Sequence, residues 1–194
     1  MEVAEQDGMR IAGAIVTHNH VDHVGGKPPP PHDILGVKVP GVAKLVAKRP
    51  DINVHVHELD APDMIRDTRI PAENVRTCTD GQVIDAELDI RVIHTPGHTP
   101  GSQCILFGGR RLLTGDTLFV GSCGRCDLPG GDAGQLAASL SSLSRLPDAM
   151  AVYPGHSYEW LFTSIGHERR HGLLNAENIK ELLARVEGTA TLNN

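Results

Sequence analysis

The stretch "VTHNHVDHVGG", residues 16–26, sets His18, His20, Asp22 and His23 within six positions. Each of these side chains can ligate a metal ion, and an apolar run, "IAGAIV", leads straight into them. Three further candidates stand in the same relation to later apolar runs. His98 follows "DIRVIHT" in the stretch "PGHTPGS", Asp116 follows "RLLTG", and His156 follows "AMAVYP". Gly97, Gly115 and Gly155 immediately precede them, which suits tight turns and close backbone approach. Five imidazoles and two carboxylates can build two adjacent sites. Two ions roughly 3.5–4 Å apart need a bridging ligand, and a carboxylate can turn one oxygen to each. Nitrogen-rich donors suit zinc, iron or nickel and argue against calcium or magnesium. A single H-x-H in a loop carries little meaning. Four candidate ligands in six residues, with three more at strand ends, are hard to obtain from packing alone.

The elements that must position these residues are legible in the hydrophobic pattern. Residues 11–16 read as a buried strand that should be central in its sheet. "GGKPPPPHDILG" is a loop, because consecutive prolines cannot pair in a sheet. "VPGVAKLVAKRP" predicts a short helix closed by Pro50, and the alternating "INVHVH" (52–57) a strand. "LDAPDMIRD" predicts a short helix with Asp60 as its cap. "DGQVID" is a turn into a strand, and 89–95, 102–108 and 111–115 are strands, the last two joined by a Gly-Gly-Arg hairpin. Leu136, Leu140 and Leu143 then recur at helical spacing behind Asp132, with Pro147 as the stop. "AMAVYP" is one more strand. Ile179, Leu182, Leu183 and Val186 mark a final amphipathic helix capped by Asn175. No fixed-period repeat and no linker divides the chain. Alternating strands and helices give an α/β or α+β class.

The 194 residues suffice for one domain with a sizeable core, 40% being apolar and 22% charged. Aromatics are only 3%, so Leu, Val, Ile and Ala must fill that core. A net charge of -6 argues against non-specific nucleic-acid or anionic-membrane binding. No apolar run approaches the roughly 18 residues of a membrane span, and the acidic start carries no leader pattern, so the expectation is a cytoplasmic protein with reduced thiols. Cys78, Cys104, Cys123 and Cys126 form no disulfide framework. Cys123 and Cys126 make a C-x-x-C without a second pair for zinc and without a helix pattern beginning at it, so they read as ordinary loop cysteines. His55, His57 and His94 read as packing groups or supports of a ligand, and His32, His167 and His171 as solvated. Arg169 and Arg170 with Glu168 read as a solvated helix face.

Taken together, "HNHVDH", "TPGHTPG", "TGDTLF" and "YPGH" resemble the motifs of the metallo-β-lactamase superfamily over most of the chain, from about residue 8 to about residue 175. The resemblance implies an α/β fold, an αββα sandwich with metals at one edge. It implies that His18, His20 and His98 hold one metal, that Asp22, His23 and His156 hold a second, and that Asp116 bridges them. An aspartate bridge argues against antibiotic hydrolysis. Within the superfamily the chain resembles the glyoxalase II and persulfide dioxygenase group. "GDTLFVGSCGRCD" resembles a glyoxalase II stretch whose substrate-binding lysine is replaced here by Arg125, and Tyr158 matches a tyrosine that contacts glutathione. "CGRCD" and the tail "TSIGHERRHGLL" are similar to the persulfide dioxygenases. The H-x-H pair arrives already at residue 18, so the expectation is a single domain over 1–194 lacking the family's N-terminal strands, with a short helical tail over 166–194. An exposed strand edge would then favour self-association.

The chemistry that the resemblance implies is that of a metal-dependent hydrolase with two transition-metal ions, zinc first, acting on a small-molecule thioester or glutathione conjugate. The metals would bring a bridging water near a pKa of about 7, and Asp22 would orient it for attack. A thiolate with a free pKa near 8.5 leaves without a dedicated acid. One alternative is a persulfide dioxygenase with one Fe(II) on His18, His98 and Asp116, since two histidines and a carboxylate form the non-haem iron triad. A second is a non-catalytic protein with a relict site.

Overall fold

The computed structural model describes residues 2–28, 36, 38–158 and 160–190. The prolines of the loop read at 25–36 fall largely on 29–35, outside the described residues, as does His32. The chain divides into two compact units, Met1–Cys78 and Thr79–Asn194.

The first unit opens with a short helix α1 (Glu2–Gln6) and continues as β1 (Gly13–Ile15), α2 (Val21–Val24), α3 (Val42–Lys48), β2 (Asn53–His57), α4 (Ala61–Thr68) and β3 (Val75–Cys78). Its three strands run parallel in the order β1-β2-β3, with Ala14 opposite Val54 and Val54 opposite Val75. Parallel neighbours need crossovers, which α3 and α4 supply. The core is aliphatic and largely β-branched: Val16, Val24, Val46, Ile52, Val54, Val56 and Met64 are all buried. Val54 and Val56 alternate with the half-exposed His55 along β2.

The structure corrects two expectations in this unit and adds one strand. The strand over 11–16 is not central: β1 lies at the edge and β2 holds the middle of the described sheet. β3 was not foreseen, because "VRTC" is short and two of its four residues are exposed, leaving little pattern to read. Asp60 stands at the start of α4 but makes no cap bond. Its carboxylate instead accepts the backbone N–H of Asn19 at 3.0 Å.

The second unit contains β4 (Val83–Asp85), β5 (Ile90–His94), β6 (Gln103–Phe107), β7 (Arg111–Gly115), α5 (Ala133–Leu143), β8 (Ala151–Pro154), β9 (Thr163–Ser164), α6 (Ile165–His171) and α7 (Ala176–Ala190). The strands form one six-stranded sheet in sequential order. All neighbours are antiparallel except β7 and β8, which run parallel and are joined across α5. The cap read at Asp132 is present, its carboxylate accepting the N–H of Gln135 at 2.8 Å. Asn175 likewise accepts the N–H of Glu177 at 3.0 Å at the start of α7. Leu136, Leu140 and Leu143 are buried with Leu112, Val152, Ile165, Leu174 and Ile179, so the C-terminal helices belong to this core.

The solvated face read at 168–170 holds for Arg169 and Arg170, whose side chains are 41 and 59% exposed, and is corrected at Glu168. Glu168 is fully buried and accepts hydrogen bonds from the N–H of Gly121 at 3.0 Å and the hydroxyl of Thr163 at 2.9 Å. Arg169 donates to the Ser144 carbonyl and pairs with Asp148, and Arg170 donates to the same carboxylate. The sequence pattern hid this because three consecutive charged residues look solvated whenever their partners are distant in sequence. His167 and His171 are exposed, as read.

Candidate metal centre

In the first unit the ligand candidates follow β1 as a tight turn into α2. His18 is 1% exposed, and its ring lies 4.8 Å from that of His20 and 4.1 Å from that of His23. His23 Nε2 lies 3.6 Å from the Asp22 carboxylate. The four residues are thus on one short stretch of backbone, as their spacing required. Two contacts that the sequence did not announce hold it. Thr17 Oγ1 hydrogen-bonds His18 Nδ1 at 3.2 Å, which leaves Nε2 as the donor atom for a ligand role. Asp60 holds the Asn19 amide between His18 and His20.

In the second unit the topology does the positioning. β5, β7 and β8 all run the same way, so their C-terminal ends lie on one edge of the sheet. His98, Asp116 and His156 each follow one of those ends. Asp116 Oδ2 lies 3.6 Å from His98 Nε2 and 3.5 Å from His156 Nε2. These separations are long for hydrogen bonds. Two donors held about 2.0–2.1 Å from one tetrahedral ion stand about 3.3 Å apart, so the spacing suits ligands that share ions. One carboxylate oxygen thus stands between two imidazoles carried on different loops.

The backbone around this trio is tightly specified. Gly97 has φ of 132°, and a Cβ there would fall 2.2 Å from the Leu136 nitrogen, so the His98 loop lies directly on α5. Asp132 donates its N–H to the Gly97 carbonyl, and Ser139 donates to the Pro96 carbonyl, tying the loop to that helix. Residues 119–126 fold back over the site. Gly124 donates its N–H to the Asp116 carbonyl at 2.8 Å, and a Cβ on Gly124 would stand 2.3 Å from that oxygen. His98 Nδ1–H donates to the Arg125 carbonyl at 2.6 Å, which fixes the ring and presents Nε2.

Arg125 therefore serves His98 through its backbone. Its guanidinium donates to both oxygens of Asp127, at 2.7 and 2.8 Å, and holds that carboxyl down at about 2. Tyr158 is exposed and stacks on His156, ring centroids 5.7 Å apart, while Phe119 meets both rings edge-on. His94 supports the His98 loop: its Nε2–H donates to the Pro100 carbonyl at 2.9 Å. His57 accepts the N–H of Leu59 at Nδ1. Burial, with help from Arg76, pushes His55 below its ordinary value. Cys104 and Cys123 are pushed up by burial to about 11, which agrees with unreactive thiols. Gly124, the Arg125 carbonyl, Thr17 and Asp60 are the contributors the sequence left unread. All but Asp60 sit one or two positions from a quoted motif residue or inside "GSCGRCD", but they act largely through backbone or support, which leaves no side-chain signature.

The model of the family described as "Metallo-beta-lactamase superfamily" matches residues 41–156, which include His98, Asp116 and His156. The chain belongs to the metallo-beta-lactamase superfamily. Among superfamily relatives, it is 38% identical over 174 residues to an uncharacterized protein of Aquifex aeolicus, covering 82% of this chain and 73% of that one. It is 33% identical over 163 residues to a hydroxyacylglutathione hydrolase of Tolumonas auensis, covering 82% of this chain and 54% of that one. The chain spans about half the length of the hydroxyacylglutathione hydrolases it matches. Among solved structures, TTHA1623 in a di-iron-bound form superimposes with a TM-score of 0.70 at 32% identity, over 88% of this chain and 81% of that one. ETHE1 from Myxococcus xanthus does so with a TM-score of 0.65 at 29% identity, over 88% and 65%. The fold class read from the motifs is thereby that of metallo-beta-lactamase-like proteins. No helix among the described residues is long and apolar enough to cross a membrane.

Proposed function

We propose that this chain is a metal-dependent hydrolase of thioesters, of the hydroxyacylglutathione hydrolase kind. The observation that carries the reading is the Asp116 carboxylate oxygen standing 3.6 and 3.5 Å from the Nε2 atoms of His98 and His156. Nitrogen and carboxylate donors so arranged fit zinc or iron. The full ligand set in this proposal is His18, His20, Asp22, His23, His98, Asp116 and His156. The hydroxyacylglutathione hydrolases at about a third identity support a thioester as the bond cleaved.

Bound transition-metal ions supply Lewis acidity that makes water nucleophilic near neutral pH. The chain's own residues then have separate tasks. Asp116 would hold a metal together with His98 and His156 and lend its charge to both halves of the centre. The Arg125 carbonyl and Thr17 keep His98 and His18 in the orientation that presents Nε2. Asp22, whose side chain is 55% exposed, would orient the attacking water and take its proton. Water adds to the thioester carbonyl carbon, the C–S bond breaks, and sulfur leaves with the electron pair as a thiolate that needs no general acid.

A second reading, an iron-dependent persulfide dioxygenase, is favoured by the likeness to ETHE1 and by the di-iron form of TTHA1623. One paired assay separates the two. Protein loaded with zinc or, anaerobically, with iron is given S-D-lactoylglutathione and followed for thiol release, then glutathione persulfide and followed for oxygen uptake. Thiol release is expected with zinc, without oxygen. Oxygen uptake with iron and no thiol release with zinc would replace the first reading by the second.

A further inference from the structure

The chain has one Trp, two Tyr and three Phe, and it spends few of them on its cores. Tyr158, Trp160, Leu161 and Phe162 are 74, 69, 76 and 62% exposed, directly after His156. Four large apolar side chains within five residues are not scattered surface hydrophobics but a patch, and such patches mark binding surfaces. The patch meets the candidate metal centre at Tyr158 and lies on the connection between β8 and β9. Tyr158 stacks on His156 at 24°, Phe119 stands edge-on to both, and Phe162 packs 6.2 Å from the ring of Tyr153.

The charge along this segment says what the patch would hold. The sequence carries no Lys or Arg between Arg145 and Arg169, so nothing along this segment can pair with the carboxylates of a glutathione moiety. The cation expected for that task, Arg125, has its guanidinium on Asp127. An anionic group laid against Tyr158, Trp160, Leu161 and Phe162 would lose water and gain no counter-charge from this segment, whereas an apolar group would lose only unfavourable hydration.

We infer that Tyr158, Trp160, Leu161 and Phe162 form an apolar lip beside His156 that holds the acyl group of the substrate, so that the chain acts on thioesters with apolar acyl chains of several carbons. This rests on the hydrolase reading of the site and moves its preferred acyl group from hydroxyacyl to apolar. Each methylene that reaches the lip adds about 0.8 kcal/mol when fully buried. Partial burial of four extra methylenes then gives about a tenfold or greater preference for hexanoyl over acetyl.

Trp160 is the chain's one tryptophan, so its fluorescence reports occupancy of the lip without turnover. The chelator-treated chain is titrated with the acetyl and hexanoyl thioesters of N-acetylcysteamine, which differ only in the acyl group. The hexanoyl ester is expected to blue-shift the emission saturably, with a Kd about tenfold below that of the acetyl ester. Leu161→Ser and Phe162→Ser, both at exposed positions and both retaining Trp160, are expected to weaken hexanoyl binding several-fold. Equal affinity for the two esters, or hexanoyl binding unchanged in both variants, would overturn the lip. After zinc is restored, thiol release is measured on the same two esters. Fluorescence binding with no release would count against the hydrolase reading while leaving the lip standing, and release without acyl-length preference would do the reverse.

Discussion

The Asp60 carboxylate accepts the backbone N–H of Asn19 at 3.0 Å, across forty-one residues of chain. Asn19 lies between two of the candidate ligands, and Asp60 is fully buried. A carboxylate spent on a loop amide, at a position where a helix cap was expected, fixes the turn that presents His18 and His20. Supporting groups of this kind are worth about 10–100-fold in metal affinity. Asp60→Ala is therefore expected to lower metal affinity by about that factor. Asp60→Asn, which keeps an acceptor oxygen, should lose less. Chelator competition measures both, and wild-type affinity in Asp60→Ala would show that the turn is held by other contacts.

The second prediction separates side chain from backbone at residues 98 and 125. His98→Ala and Asp116→Ala should each remove most of the metal from the purified protein. Arg125→Ala should retain it, because the carbonyl that accepts from His98 is unchanged and an exposed ion pair with Asp127 adds little. Gly124→Ala should behave like a ligand loss, since its Cβ would fall 2.3 Å from the Asp116 carbonyl oxygen. Metal analysis of the four variants checks this. Full metal in both His98→Ala and Asp116→Ala would remove these residues from the ligand set.

The same contrast between side chain and backbone decides which features the sequence reveals. Ligand candidates are legible because chemistry restricts them to a few side-chain types at strand ends. Helices α3, α5 and α7 are legible because Val42 and Val46, Leu136 and Leu140, and Ile179 and Leu183 repeat at helical spacing. β3 was not legible, as a four-residue strand with two exposed side chains lacks a period to detect. Glu168 and Asp60 were misread for one reason. Local pattern assigns a charged residue to solvent or to its own helix end, and only tertiary structure supplies the distant amides that draw it inside.

Thiol chemistry gives the third prediction. Burial pushes Cys78, Cys104 and Cys123 up to about 11, and burial with the nearby charges of Asp127 and Asp132 raises Cys126. A thiol with a pKa of about 11 is thiolate to about one part in a thousand at pH 8, whereas redox-active C-x-x-C pairs have depressed values. The folded protein should react slowly with an aromatic disulfide reagent at pH 8, and faster as pH rises toward 10. All four thiols should react promptly after denaturation in guanidinium chloride. Rapid formation of a Cys123–Cys126 disulfide under mild oxidation would contradict the loop-cysteine reading.

The exposed edge gives the fourth. Among the described strands β1 pairs only with β2, and its Gly13 is exposed. An open parallel edge is a template for a second chain. Sedimentation of the isolated chain is expected to show concentration-dependent self-association. Gly13→Pro should reduce it, because Val16 bonds His55 on β2 and strand alternation therefore turns the Gly13 N–H toward the open edge. A monodisperse monomer at high concentration would show that this edge is protected.

The fifth prediction concerns Glu168. Its carboxylate receives the N–H of Gly121, the hydroxyl of Thr163 and the N–H of Leu173 at 3.0, 2.9 and 3.3 Å. Gly172 makes room for it, a Cβ there falling 1.9 Å from Oε2. Hydrogen bonds to a charged group contribute about 1.5–3 kcal/mol each, and stranding their buried donors costs more than a net bond is worth. Glu168→Ala is therefore expected to lower unfolding stability by about 3 kcal/mol or more, and Glu168→Gln, which keeps one acceptor oxygen, by less. Urea denaturation should show a lower midpoint with an unchanged slope. The effect should reach the metal as well. Gly121 begins the segment that carries Gly124 and Arg125 back over Asp116 and His98, so releasing it loosens the carbonyl that fixes the His98 ring. Metal affinity in Glu168→Gln, measured where the protein remains folded, should fall while Arg170→Ala, on the same helix but bonded only to the exposed Asp148, should leave it unchanged. Equal metal affinity in both variants would confine Glu168 to a purely structural role.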